Sequence, residues 1–126
     1  MATVRDVMSD ALVTVAPETT VAEAATVMGT HHVGSALVME GDALTGIFTE
    51  RDVMRAVASD FDAAHHPVSE FMTQDPATAE PASGLRGALD TMLQGGFRHL
   101  PVVYGGRVVG VISMRDLTAS LERERG

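Results

Sequence analysis

Displaced against itself by 64 residues, the chain aligns 1–62 with 65–126 without a gap. Eleven of the 62 pairs are identical (Val4/Val68, Met8/Met72, Thr14/Thr78, Pro17/Pro81, Ala24/Ala88, Met28/Met92, Val38/Val102, Gly41/Gly105, Gly46/Gly110, Arg51/Arg115 and Asp52/Asp116), about twice the roughly five that this composition gives by chance. Others keep their character, among them Val7/Phe71, Ser9/Thr73, Val21/Leu85, Ile47/Val111, Thr49/Ser113 and Val53/Leu117. A chain of 126 residues built this way is two copies of one small unit, 1–62 and 63–126, joined near 61–66. Units of this size are marginal alone, so each half is expected to bury its sheet against the other.

Both copies give the same local reading. A short amphipathic turn (4–8; 68–72) leads to a brief strand (13–15; 77–79). A helix follows. In the first copy Thr20 and Glu23 make a capping box ahead of Val21, Ala24, Ala25 and Met28 at helical spacing. In the second the helix covers about 85–93 and stops at Gly95 and Gly96. Two β-rich runs then flank Gly41 and Asp42, or Gly105 and Gly106, the pattern of a tight hairpin. A last helix starts at Glu50 or Met114 and ends near Ala58 or Glu122. The fold class is α+β, with tandem β-α-β-β-α repeats.

The most informative segment occurs twice, as GIFTERD (46–52) and GVISMRD (110–116). Each runs from a strand into a helix, with Thr49 or Ser113 at the junction and Asp52 or Asp116 three residues on. Two readings stand side by side. The hydroxyl and the carboxylate can be an N-cap pair that satisfies free backbone N–H groups. The same hydroxyl and open amides also attract phosphate, and a carboxylate one turn in can accept both hydroxyls of a ribose. Arg51 and Arg115, inside both motifs, suit either a phosphate or a neighbouring acid.

Copies of a β-α-β-β-α unit that each end in Gly-apolar-apolar-Thr/Ser-x-x-Asp resemble the CBS domain family, and a tandem pair resembles its Bateman module. The likeness covers nearly the whole chain, including residues 4–8, the FRHLPVV run at 97–103 and the VVGVIS run at 108–113. It implies repeats related by a pseudo-twofold axis, with clefts at their junction for AMP, ADP, ATP or another adenosyl compound. Asp52 and Asp116 would take the ribose hydroxyls, with Thr49 and Ser113 near phosphate. Thr49 and Asp52 would face Ala77, Phe97, Arg98 and His99; Ser113 and Asp116 would face Val13, Val33, Gly34 and Ser35. The apolar members would sandwich adenine. Arg98 and His99 stand where the first copy has Gly34 and Ser35, so the Asp52 cleft is expected to prefer the more highly charged ligand.

Composition narrows the chemistry. There is no Cys, and all nine basic residues are Arg, so thiolate metal sites, cysteine nucleophiles, Schiff-base lysines and the lysine phosphate loop are excluded. A net charge of −8 repels nucleic acid and anionic lipid. Apolar runs are too short to span a membrane and the first residues do not form a signal peptide, so a cytoplasmic location is expected. The histidine doublets His31-His32 and His65-His66 lack the i,i+4 spacing of helical metal ligands. No metal and no resident cofactor are expected. Methionines such as Met28, Met54 and Met92 are read as core or interface filling.

The expected function is a non-enzymatic regulatory module. It binds an adenosyl compound, senses energy or metabolite state and signals to a partner protein, and the family resemblance implies a homodimer. The alternative is a ligand-free dimerisation or scaffold module whose Thr/Ser-x-x-Asp motifs only cap helices. The apolar positions Val53, Met54, Val57, Leu117 and Leu121 are open to either the core or a dimer contact.

Overall fold

The computed structural model describes residues 1–125, running α1 (Val4–Val7), β1 (Thr14–Val15), α2 (Val21–His31), β2 (Ser35–Glu40), β3 (Ala43–Thr49), α3 (Glu50–Ser59), β4 (Thr73–Gln74), α4 (Leu85–Gly95), β5 (His99–Tyr104), β6 (Arg107–Ser113) and α5 (Met114–Arg125). Two 3-10 turns, Phe61–His65 and Val68–Glu70, link α3 to β4. Helices and strands are mixed along the chain, an α+β architecture.

Local chemistry accounts for most boundaries. Thr20 caps α2 by accepting from the Glu23 N–H at 3.1 Å, while the Glu23 carboxylate accepts from the Thr20 N–H at 3.0 Å. At the far end of α2 the chain turns through His32 at φ 56°, and at the far end of α4 through Gly96 at φ 72°. Both hairpins turn through glycine at positive φ, Gly41 in the first and Gly105 with Gly106 in the second. Both carry a register shift at the same place, Val38/Met39 and Val102/Val103.

The chain divides into two compact units that are not the contiguous halves 1–62 and 63–126. One is continuous, Val13–Pro76; the other joins Met1–Leu12 to Ala77–Gly126. In the continuous unit β1 runs parallel to β2, β3 antiparallel to β2, and β4 antiparallel to β3. The two-segment unit repeats this register 64 residues on. Ala79 bridges Val102 in parallel, as Val15 pairs with Val38, and Ser9 bridges Val111 antiparallel, as Thr73 pairs with Ile47. One edge of each sheet, β4 beside β3 and Ser9 beside β6, is therefore supplied by the other sequence repeat.

Each unit has its own core. Val21, Ala24 and Met28 of α2 pack with Ala36, Val38, Phe48, Ala56 and Val68. In the other unit Val4, Leu85, Ala88 and Met92 pack with Leu100, Val102, Ile112 and Leu117.

One expectation is corrected. The strand expected at 77–79 is a single bridge at Ala79, because the residue opposite is Pro101. In the first copy the Leu37 N–H donates to the Val13 carbonyl at 2.9 Å; a proline offers no such donor to Ala77. Of the methionines read as core or interface filling, Met28 and Met92 are buried and Met54 is exposed. The open choice among the apolar positions of the last helices divides: Val53, Leu117 and Leu121 pack on the cores, while Met54 and Val57 are exposed.

Candidate functional site

The two recurring motifs end at the same structural point, a strand passing directly into a helix. Thr49 is the last residue of β3 and the N-cap of α3, and its Oγ1 accepts from the Asp52 N–H at 3.3 Å. Asp52 returns the bond: its Oδ2 accepts from the Thr49 N–H at 3.0 Å and from the Thr49 hydroxyl at 3.1 Å. Its other oxygen, Oδ1, accepts from Arg55 Nη1 at 2.9 Å, one turn along the helix. Asp52 is only 3% exposed, and both of its oxygens are occupied.

Around this cap the fold gathers the other first-copy residues. Ser35 pairs with Thr49 across the hairpin, and the Gly34 carbonyl accepts from the Glu50 N–H at 3.0 Å. Val13 sits beside them through its carbonyl bond to Leu37, and Val33, just before β2, leaves its side chain exposed. Thr49, Asp52, Val13, Val33, Gly34 and Ser35 thus lie together on the continuous unit, one candidate half-site.

The second half-site repeats the plan on the two-segment unit. Ser113 ends β6 and its Oγ accepts from the Asp116 N–H at 3.1 Å. His99 pairs with Ser113, and the Arg98 carbonyl accepts from the Met114 N–H at 2.8 Å. Phe97 and Ala77 pack on the edge of that core. Arg98 is exposed and forms no ion pair among the described residues.

The carboxylates differ. Asp116 is exposed, and among the described residues its side chain accepts no hydrogen bond and pairs with no cation. The position matching Arg55 is Ala119. Arg55 is the residue that the motif reading missed. Its signal was the i,i+3 spacing from Asp52, but many surface arginines have such a neighbour.

The recurring glycine of each motif serves packing. A Cβ on Gly46 would stand 2.6 Å from the Met72 sulfur and 2.8 Å from the Thr73 carbonyl oxygen; one on Gly110 would stand equally close to Met8 and Ser9. These glycines let the edge segment from the other repeat cross against the sheet. Among the described residues no three His, Asp or Glu side chains gather as metal ligands, and no helix is long and apolar enough to cross a membrane.

With this geometry twice over, the comparison with known families is direct: the CBS domain matches at residues 4–59 and again at 68–123. The chain belongs to the CBS domain family. It is a CBS domain pair, with a repeat at each match. An uncharacterized 17.7 kDa protein of Acidianus ambivalens is 40% identical over 110 residues, covering 85% of this chain and 65% of that one, slightly under two thirds of its length. The CBS domain-containing protein YhcV of Bacillus subtilis is 36% identical over 121 residues, 95% of this chain and 86% of YhcV. Among solved structures, the CBS-domain protein ATU1752 of Agrobacterium tumefaciens superposes with a TM-score of 0.88 at 32% identity, over 95% of this chain and 99% of that one. The CBS domain pair of MJ0100, solved with 5′-methylthioadenosine and S-adenosyl-L-methionine, shares the fold at a TM-score of 0.88 and 24% identity, over 98% of each chain.

Proposed function

We propose that this CBS pair is a regulatory module that binds an adenosyl compound such as AMP, ADP, ATP or a related nucleoside and passes the bound state to a partner protein. The observation that carries the reading is the recurrence, in both units, of one arrangement: a strand-end hydroxyl, an Asp three residues into the following helix, and an apolar residue just before the paired strand. An acid, a helix N-terminus and an apolar wall match the diol, the charged or polar tail and the base of an adenosyl compound. The adenosyl ligands in the MJ0100 complex support the same class.

In this reading Asp116 and Asp52 accept ribose hydroxyls, Thr49 and Ser113 lie toward the tail, and Val13, Val33, Gly34, Ser35, Ala77, Phe97 and His99 contribute the walls and backbone groups that hold adenine. Arg98, exposed and outside any ion pair among the described residues, meets a phosphate. The two repeats, 1–62 and 63–126, each carry one reading motif. The nucleotide is a regulatory ligand rather than a resident cofactor, the module catalyses no reaction, and it works in the cytoplasm as a homodimer with exposed Met54 and Val57 in the contact. Ligand acts by binding two shapes of the module unequally, the only way in which binding can be transmitted.

The closed cap at Asp52 favours a second reading, a ligand-free dimerisation module. Thermal melts with AMP, ADP, ATP and S-adenosylmethionine at millimolar concentration separate the two. Binding to the folded state alone raises Tm by mass action. A rise with at least one compound, reduced in Asp116→Asn, supports the sensor; four unchanged melts leave the dimerisation module.

A further inference from the structure

The two half-sites share a plan but not a state of their acids. Asp52 has three intramolecular donors on its two oxygens, the Thr49 N–H and hydroxyl on Oδ2 and Arg55 on Oδ1. A ribose diol needs an acceptor for each of its two hydroxyls, so docking there must displace or share at least one of these donors. Among the described residues Asp116 has none to displace, and Ala119 stands in the place of Arg55.

We infer that Arg55 is a positioning residue that holds the Asp52 carboxylate closed and so sets the order of filling: the Asp116 half-site takes an adenosyl diol first and the Asp52 half-site second. The inference rests on the proposed adenosyl-binding reading and deepens it by making the two sites unequal through one residue. Arg55 competes because its charged N–H···O bond occupies the oxygen that a sugar hydroxyl would use. Its side chain is 62% exposed, so the contact is screened and can be opened by ligand. Asp52 is the gated acceptor and Asp116 the ungated one.

Calorimetric titration with adenosine tests this, since adenosine has the diol and no phosphate for Arg98 to meet. The wild-type chain should show a tighter site that Asp116→Asn abolishes and a weaker one that Asp52→Asn abolishes, both lost with 2′,3′-dideoxyadenosine. Arg55→Ala should tighten the weaker site by about two- to fivefold, the range set by an exposed ion pair, and leave the tighter one unmoved. Arg55→Lys, which keeps a cation near Asp52, should retain the wild-type order, and Ala119→Arg should weaken the tighter site. A purely structural role for Arg55 changes the melting of the free protein and moves neither affinity. Loss of the tighter site in Asp52→Asn, or an unchanged weaker site in Arg55→Ala, overturns the inference while the sensor stands. Failure to bind adenosine while AMP binds overturns it as well. Failure of every adenosyl compound removes the sensor reading along with it.

Discussion

Gly46 lies hard against Met72: a methyl group on its Cα would stand 2.6 Å from the Met72 sulfur, with the Thr73 carbonyl oxygen 2.8 Å away on the same side. The sulfur is the flexible part of that contact and could yield, whereas the carbonyl belongs to β4 and is fixed by the ladder with β3. Gly46→Ala should therefore cost about 1–3 kcal/mol, the usual range for overpacking, and Gly110→Ala a similar amount, because Met8 and Ser9 stand in the same relation to it. Chemical denaturation of the two variants checks this; a loss below a few tenths of a kcal/mol at both positions contradicts the close crossing.

Asp52 and Asp116 should differ in what they contribute to stability. Asp52→Asn weakens a buried cap and an ion pair, at a cost of about 1 kcal/mol. Asp116→Asn touches only an exposed side chain without intramolecular partners among the described residues and should leave the melting midpoint nearly unchanged. Equal losses in ligand-free melts would show that the two caps are alike.

The left-handed residue after α2 is a histidine, at φ 56°, where the end of α4 has glycine at φ 72°. A side chain in that region is strained relative to glycine. His32→Gly should raise stability by about 0.5–1 kcal/mol, since removing the strain outweighs the added freedom of the unfolded chain. A lowered melting midpoint is the contrary result.

His66 should titrate above its ordinary value of 6.5. The hydrogen bond to Glu70, 2.8 Å from Nδ1 to Oε2, is the first cause, followed by the charge of Glu70 and those of Asp60 and Asp62. A raised folded-state value means that the stabilisation is complete below the unfolded value and fades as pH rises through the folded one. Proton NMR of the imidazole should give a midpoint above 6.5 in the wild type and a lower one in Glu70→Gln, and the stability gap between the two proteins should be largest in mild acid and close as pH rises through the folded-state midpoint. An unmoved His66 midpoint in Glu70→Gln rejects the pairing.

Cutting the chain by sequence repeat and cutting it by compact unit should give different products. A fragment 1–62 lacks Val68, which is fully buried, and the edge strand β4. It also loses the bonds Val21 N–H to His66 C=O at 2.9 Å and Val68 N–H to Thr19 C=O at 2.8 Å. The fragment Val13–Pro76 keeps them all and should retain more helical circular dichroism and a sharper melt. Indistinguishable melts would mean that the exchanged segment adds nothing.

Much of this was legible beforehand because it is local. The hairpin Ser35–Glu40 with Ala43–Thr49 and its counterpart His99–Tyr104 with Arg107–Ser113 follow from glycine turns between β-rich runs. The helix starts at Thr20 and Thr49 follow from a hydroxyl with an acid three residues on. The strand at 77–79 was misread although its cause, Pro101, is in the sequence: a proline matters there only once one knows that residue 101 lies opposite. The exchange of edge segments 8–9 and 73–74 left no periodic trace, since a one- or two-residue strand has no pattern to read.

The amino-acid order by itself determined the duplication, the α+β repeat, the capped motifs and the exclusion of thiol and lysine chemistry, because each depends on residues within one turn or hairpin of each other, or on simple presence. Tertiary structure alone decided which repeat closes which sheet, why Gly46 and Gly110 must lack a side chain, and that Asp52 is held by Arg55 while Asp116 stands open. Those depend on distances between groups that chain connectivity leaves free, and packing fixes such distances only when the whole unit has formed.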